Sequence, residues 1–564
     1  MRTAQSRVTD SPEEGSVPWR WGNPQLRYPE RGRDRVLRYL THRLGAAPSP
    51  RRTAKPRPPV LRPSRLSDRD LLALKGLVPH GEVRSDDRSR LLASAGASYL
   101  DLIRLMKLEV PELVDAIAEP ASVEEVEAIV RWADRERIAL VPRSGGTSVV
   151  GGLDPLRNGL QAVVTISVRR LSRSGPVRPE ERVASFETGI LGPELEAYLH
   201  RYGLTLGHYP QSFEGSALGG WIAARSFGQA STRYQTPADR LERFTIVTPS
   251  GTFRWDRSHP SSTEPDPGVI VPGSEGTLGV LVEAALRVEP LPEATRWLVA
   301  LFQRWEAGVD AMRRLAVERP LPAVVRLSDG EETDLTFAES GWESGGTYDW
   351  LRRLAALGLG FRGSQPREAC LLIASYEGSS REVDLGGRFF RSLRQELGAA
   401  PLPATVGRAW ERSRFRVPYL RDELIERGWF VETFETFVAW SALRKVDLAA
   451  RKAVRAWADR RSFPVYVGAH LSHPAADGTS LYFTVIAPQE PGQEEMAWKE
   501  FKRATAEAVV AAGGTVSHHH GIGRYHRPWV GRSVPAWRLE GLKTLKNRWD
   551  PNGIMNPGKT LPED

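Results

Sequence analysis

Cysteine is almost missing: Cys370 is the only one in 564 residues, so no internal disulfide and no multi-cysteine metal site can form. Long apolar runs are missing too. No uninterrupted stretch is long enough to cross a bilayer, and the opening MRTAQSRVTDSPEEG lacks the apolar segment of a secretory signal. These absences lead to the expectation of a cytoplasmic protein in a reducing compartment. A GxGxxG run between strand and helix, with an acidic residue about 20 positions on, is also absent, which argues against a nicotinamide dinucleotide fold. The net charge of +9 does not signal nucleic acid, because it is concentrated. Residues 27–65 hold 12 Lys or Arg against 2 acidic residues, leaving the remainder close to neutral. No aromatic interleaving accompanies that segment, so it is expected to be a solvated tail, with contact to an anionic membrane surface as the alternative.

What is present is glycine in two loops. Pro142 to Gly152 reads PRSGGTSVVGG, and Gly273 to Gly279 reads GSEGTLG. A diphosphate needs backbone N–H donors from several directions, and glycine permits both positive φ and close approach. Hydroxyls of Ser144, Thr147, Ser148, Ser274 and Thr277 are expected to add donors. Either loop alone is as readily an ordinary tight turn; together they point to a flavin pyrophosphate cradle.

The 40% apolar content suits a globular protein, and the length calls for two or three packed units. Gly45 to Ser64, rich in Pro and Arg, reads as an extended linker behind a short leader. Ser122 and Glu125 form a capping-box pattern ahead of Val123, Val126, Ile129, Val130 and Ala133 at helical spacing, and a short strand, Ala139 to Val141, runs into the first glycine loop. Strand-like runs follow at 162–168 and 182–186, then a helix opening at Pro193, then strands at 244–247 and 252–255 around Thr248-Pro249-Ser250-Gly251. Leu542 to Thr560 reads as a helix with Pro and Gly punctuation that docks back on the first domain. The expected division is a leader and linker over 1–66, a helical region over 67–110, a cofactor domain over 111–292, a cap over 293–515 and a returning segment over 516–564.

PRSGGTS and GSEGTLGV resemble signatures of the vanillyl-alcohol oxidase and p-cresol methylhydroxylase flavoproteins. Within that superfamily GHYPQSFEGSALGGWIAARSFG at 207–228 resembles the alkyldihydroxyacetonephosphate synthases, as do WRWGNPQLRYP at 19–29, DDRSRLLASAGASYLDLIRL at 86–105, PYLRDEL at 418–424 and SHHHGIG at 517–523. The resemblance implies an α+β fold: a two-lobed FAD-binding domain of the p-cresol methylhydroxylase type plus an antiparallel-sheet cap with flanking helices. Cofactor contacts would come from Pro142, Arg143, Ser144, Gly145, Gly146, Thr147 and Ser148 and from Gln211, Ser212, Phe213, Glu214, Gly215, Ser216 and Ala217. Two further groups are Ala223, Ala224, Arg225 and Ser226, and Gly273, Ser274, Glu275, Gly276, Thr277, Leu278 and Gly279. Thr147 stands where members with covalent flavin carry histidine, which implies dissociable FAD.

The same resemblance implies that Arg421 binds the substrate anion and that Tyr482, His518, His519, His520 and Arg326 are catalytic. Taken singly, arginines mostly form surface ion pairs and a tyrosine in an apolar strand mostly packs in a core. An active-site tyrosine is expected to have its pKa lowered by nearby cations. In an extended chain His518 and His520 share a face opposite His519, and no carboxylate stands in evident ligand spacing, so hydrogen bonding is preferred over metal. His470 and His473 keep a metal open as the alternative. The implied reaction exchanges the acyl chain of acyl-dihydroxyacetone phosphate for a fatty alcohol through an adduct at flavin N5, without net redox change. The resemblance implies a homodimer, and the expected location is the cytoplasm, with the enzyme touching the membrane surface to collect its lipid. The rival readings are a flavin dehydrogenase of 2-hydroxy acids, which Asn556-Pro557-Gly558-Lys559 resembles more closely, and an inactive flavoprotein or lipid-binding subunit.

Overall fold

A computed structural model describes residues 20–22, 26–45, 48, 61–257, 267–340 and 369–562. Most of the Pro- and Arg-rich linker, together with Trp19 and residues 23–25, lies outside the described residues.

The first lobe is built on a four-stranded sheet. Val163–Ser167 (β4) is VVTIS, buried along its whole length, and it lies parallel to both Ala116–Glu119 (β2) and Ala139–Arg143 (β3). A continuous apolar run is what a strand covered on both faces requires. Glu82–Arg84 (β1) adds an antiparallel edge beside β2. The helix Val123–Arg135 buries Val126, Ile129, Val130 and Ala133, the stripe its spacing predicts. Its cap differs in one respect. Ser122 Oγ accepts from Glu125 N at 3.3 Å, but the Glu125 carboxylate accepts from His80 N and Ala121 N instead of closing the box. Buried in that loop junction, it satisfies two donors that the box would leave unpaired.

The second lobe is an antiparallel sheet of Ser174–Arg178 (β5), Val183–Glu187 (β6), Leu241–Thr248 (β8), Gly251–Asp256 (β9) and Val280–Arg287 (β10), in the order β5-β6-β10-β8-β9. Thr248 pairs with Gly251 across the Pro249-Ser250 turn. A small ladder of Leu204–Thr205 (β7) and Glu289–Pro290 (β11) follows the helix Gly192–His200, which opens with Pro193 in its first turn.

The cap is a seven-stranded antiparallel sheet. Its strands are Ala294–Phe302 (β12), Val324–Ser328 (β13), Cys370–Gly378 (β14), Ala400–Leu402 (β15), Trp429–Ala439 (β16), Tyr466–Ser472 (β17) and Gly478–Pro488 (β18), ordered β15-β12-β14-β13-β17-β18-β16. Phe430, Phe434 and Phe483 pack on one face, where Trp457 and Phe501 of two long helices cover them. The opposite face is polar at its centre. Glu435 pairs with Tyr482, Tyr482 with His470, and His470 with Ser328. Residues directly opposite each other share a face, as do alternate residues of one strand, so Glu435, Tyr482, His470 and Arg326 form one polar patch.

The basic leader is not a solvated tail over its described part. Glu30–Leu44 is a helix whose Val36, Tyr39, Leu40 and Leu44 are buried in the cap core. Arg33 reaches Glu423 at 3.5 Å and Arg43 reaches Glu331 at 2.7 Å, so two of its arginines pair with the cap. The helical spacing of the four apolar residues was the signal for this, hidden beneath the arginines. No helix among the described residues is long and apolar enough to cross a membrane. At the other end, the helix Ala536–Trp549 leads into a return onto the first lobe, where Met555 bridges Leu140.

Candidate active site

Between the two lobes and the polar face of the cap lies a cavity of about 870 Å³. The glycine loops form one end of it. Ser144, Gly146, Thr147 and Ser148 face it, with Ser274, Gly276 and Gly279 opposite and Gln211, Ser212, Ser216, Ala223, Ala224 and Ser226 completing the wall. Gly145 stands behind this surface. A Cβ there would lie 2.2 Å from Gly215 O, so only glycine lets the 142–148 and 211–217 loops meet. The backbone N–H groups of Ser144, Gly145, Gly146 and Thr147 find no acceptor among the described residues. A run of unpaired donors at a cavity wall is built for an anion.

Other predicted contacts support the cradle from behind. The Arg225 guanidinium donates to Pro272 O at 2.9 Å and Val269 O at 2.7 Å, away from the cavity. Thr277 Oγ1 donates to Ser274 O at 2.7 Å, so its hydroxyl closes its own turn and is not the extra donor expected. Phe213 stacks on Phe415, Glu214 accepts from the Tyr419 hydroxyl, and Leu278 is core. Gly215 and Gly273 likewise lie outside the cavity lining.

The histidine turn meets the cavity from the cap side. It is not extended, and the expected pairing of His518 with His520 does not occur. His519 and His520 face the cavity, whereas His518 packs against Phe227 and Phe437. The carboxylate that sequence spacing failed to reveal is Glu435 of β16. It accepts from Ser517 Oγ at 2.8 Å and from the backbone N–H groups of His518, His519 and His520 at 2.7, 3.1 and 3.0 Å. Glu435, His519 and His520 are spaced as metal ligands could be. Three of those four donors fall on Oε1 and only the His518 N–H on Oε2, so the carboxylate serves the turn first and Oε2 alone keeps lone-pair capacity for a cation.

Comparison with known proteins fits this geometry. Residues 114–256 match the FAD binding domain family and residues 291–560 match the FAD linked oxidase C-terminal domain family. The alkyldihydroxyacetonephosphate synthase of Dictyostelium discoideum is 32% identical over 492 residues, covering 87% of this chain and 80% of the relative. The chain belongs to the alkyldihydroxyacetonephosphate synthase family. A solved alkyldihydroxyacetonephosphate synthase superposes with a TM-score of 0.78 at 28% identity, covering 93% of this chain and 92% of that one. The p-cresol methylhydroxylase structure, at 15% identity, shares the fold with a TM-score of 0.63 over 87% of this chain and 96% of that one. FAD is therefore the cofactor, and the unpaired donor run with its glycine-only approach fits the pyrophosphate.

In this member of the synthase family the electrostatics of the polar patch are set by burial. Burial pushes His470 and His518 down to about 4 and His520 to about 3, so these imidazoles are neutral at pH 7. Burial opposes the Glu435 charge as well, but the neighbouring histidines and donated N–H groups outweigh it and hold the carboxyl well below the usual range. Burial pushes the Tyr482 hydroxyl up to about 12, against the expected lowering. The Glu435 and Glu432 carboxylates push the same way, and with burial they outweigh the opposing hydrogen bond to Thr433 and the Arg326 charge. Arg326 pairs with Glu332, which also bonds His470 Nδ1 at 3.1 Å, while Arg326 Nη1 meets His470 Nε2 at 3.1 Å. Since guanidinium N–H can only donate, His470 Nε2 accepts and Nδ1–H donates to Glu332, which sets the tautomer. His470 stacks over Tyr482 with ring centroids 4.8 Å apart. Arg421 lines the same cavity, its Nη1 donating to Ala97 O at 2.9 Å and its Nη2 reaching Asp422 at 3.2 Å. Glu332 and His470 were also missed as partners, because nothing in their spacing from Arg326 announces a shared network.

The C-terminal Asn556 and Lys559, which look like those of 2-hydroxy-acid dehydrogenases, bear on loops and not on the cavity. Asn556 Nδ2 donates to Gly152 O at 3.1 Å and Glu275 O at 2.7 Å, and Lys559 Nζ donates to Asp154 O at 2.8 Å. They are braces of the cradle.

Proposed function

We propose that the protein exchanges the acyl chain of acyl-dihydroxyacetone phosphate for a fatty alcohol, giving an ether lipid precursor. The observation that carries this reading is the double character of the cavity. Its polar end holds Arg326, Tyr482, His519 and His520, and it continues into an apolar bay of Leu335, Leu420, Leu424, Val417 and Val36. A small polar substrate would leave that bay unfilled; an alkyl chain buries it, at about 0.8 kcal/mol per methylene.

The C–O bond to the fatty acid breaks, the alcohol oxygen bonds the same carbon, and the alcohol proton is released, so no electrons are gained or lost overall. FAD, when bound, supplies a nucleophilic ring nitrogen for this exchange. Arg421 holds the phosphate, for which a planar, permanently charged guanidinium is suited. His519 and His520, neutral at the working pH, accept a proton at the reacting carbon, and Tyr482, a protonated phenol, returns one. The cap excludes water from this transfer. The family likeness supports a homodimer, and the enzyme is read as cytoplasmic, touching the membrane surface to collect its lipid.

Incubation with palmitoyl-dihydroxyacetone phosphate and labelled hexadecanol is expected to put label into an ether lipid, with no anaerobic bleaching by D-lactate or glycolate. Bleaching by either acid without label transfer would replace this reading with the dehydrogenase.

A further inference from the structure

The turn that carries the histidines is held by two carboxylates from different parts of the molecule. Glu435 of the cap sheet takes the N–H groups of residues 518–520. Glu275, from the second glycine loop, takes the next part: Ile522 N donates to its Oε1 at 2.6 Å, and Gly523 N donates to Oε1 and Oε2 at 3.1 and 2.9 Å. The first glycine loop joins the same contact. Val150 O accepts from Arg524 N and Tyr525 N, both at 3.0 Å. Gly523, at φ +50°, comes so near that a Cβ would lie 2.2 Å from Val150 O, so the fit admits no side chain. Meanwhile the Glu275 backbone is itself fixed, its N–H donating to Ala223 O at 2.9 Å and its carbonyl accepting from Asn556. Both glycine loops and the histidine turn thus form one hydrogen-bonded body, with the Glu275 side chain lining the cavity at the junction.

We infer that Glu275 is a positioning residue that makes filling of the cofactor cradle and placement of His519 and His520 a single event. The loop that wraps the pyrophosphate cannot settle without setting the turn, and a displaced turn pulls on the loop. Burial raises the Glu275 carboxyl to about 7, with the Ile522 and Gly523 N–H groups and Lys559 working against that rise. The catalytic meaning of the placement rests on the function proposed above; the coupling itself does not.

The test uses the full chain with and without FAD, and the variants E275A and E275Q. In the wild type, removing FAD is expected to speed amide hydrogen exchange at residues 518–523, and restoring it to slow exchange again. In E275A, which removes the acceptor of both the Ile522 and Gly523 N–H groups, FAD is expected to bind at least about tenfold more weakly, with fast exchange at Ile522 and Gly523 whether or not FAD is present. E275Q keeps the volume and one acceptor oxygen, so it is expected to fall between the two; it also decides the matter if E275A does not fold. Turnover of E275Q is expected to drop with little change in KM for the phosphate ester, a split that general loosening would not produce. Wild-type FAD affinity together with wild-type exchange at 522 and 523 in E275Q would overturn the inference. A wild type that makes no ether product would overturn the proposed function instead, while exchange and FAD titration still decide the coupling.

Discussion

The cofactor lobes and the cap build their halves of one cavity from different materials. In the lobes the working surface is backbone: a run of N–H groups at 144–147, brought to a neighbouring loop by a glycine whose Cβ would strike Gly215 O. In the cap it is side chains, set out on one sheet face by register, with Glu435, Tyr482 and His470 in a row across three strands. A backbone surface tolerates almost any side chain that points away from it and no Cβ where it must be close. A side-chain surface behaves in the opposite way: its neighbours in sequence are free to vary, and its chemistry is lost with one atom. Damage to the two halves should therefore separate binding of FAD from turnover.

The largest separation is expected at Tyr482. Y482F removes one oxygen from a row whose register is held by eleven-residue strands, so the fold and FAD content should stay, while ether formation falls by about 10²–10⁴-fold, the usual worth of a positioned proton-transfer group. Full activity in Y482F would remove the tyrosine from the mechanism and leave the row structural. The mirror image is G145A. A single methyl forced against Gly215 O should cost roughly 2–3 kcal/mol of FAD binding, read as a loss of about 30- to 150-fold in affinity by fluorescence titration, with the cap core intact by circular dichroism. Should G145A bind FAD normally, the loops do not meet as described.

Acid sharpens the contrast more gently. His470, His518, His520 and His526 all sit below their ordinary value because they are buried, at about 4, 4, 3 and 4. Their folded pKa values are depressed, so the stability they contribute is present above the unfolded value near 6.5 and is lost as pH falls through 4. Protonating one of them in place costs on the order of 3 kcal/mol. Melting temperature should decline from about pH 6.5 downward, with turnover lost no later than FAD, since protonation strikes the histidines directly and reaches the cradle only through the turn and Glu275. Loss of FAD ahead of turnover would contradict this assignment.

How much of this could be read from the chain follows the same division. Elements with a local cause were legible: the Val123–Arg135 helix from its apolar stripe, β4 from an unbroken apolar run, and the β8–β9 hairpin from Pro249-Ser250 before a glycine. The cradle was legible because glycine at a close approach leaves its mark at that very position. The leader helix was misread because charge masked a four-residue apolar face. Glu435 was invisible, lying 82 to 85 positions from the donors it binds, as was Glu332, 138 positions from His470. No periodicity links such residues; only strand register and the seating of a turn bring them together.

The sequence by itself determined the local conformations: which runs become strands, where the backbone can approach closely enough to hold a diphosphate, and, through its likeness to a family, which side chains to watch. Only the tertiary structure decided the chemistry of those side chains. Burial keeps the histidines neutral well below pH 7 and Tyr482 protonated well above it, Glu332 pairs with Arg326, and Glu275 and Glu435 fix where the histidine turn stands. The physical reason is that a backbone conformation depends on the residues beside it, whereas a pKa or a hydrogen-bond partner depends on whatever the fold brings within a few ångströms.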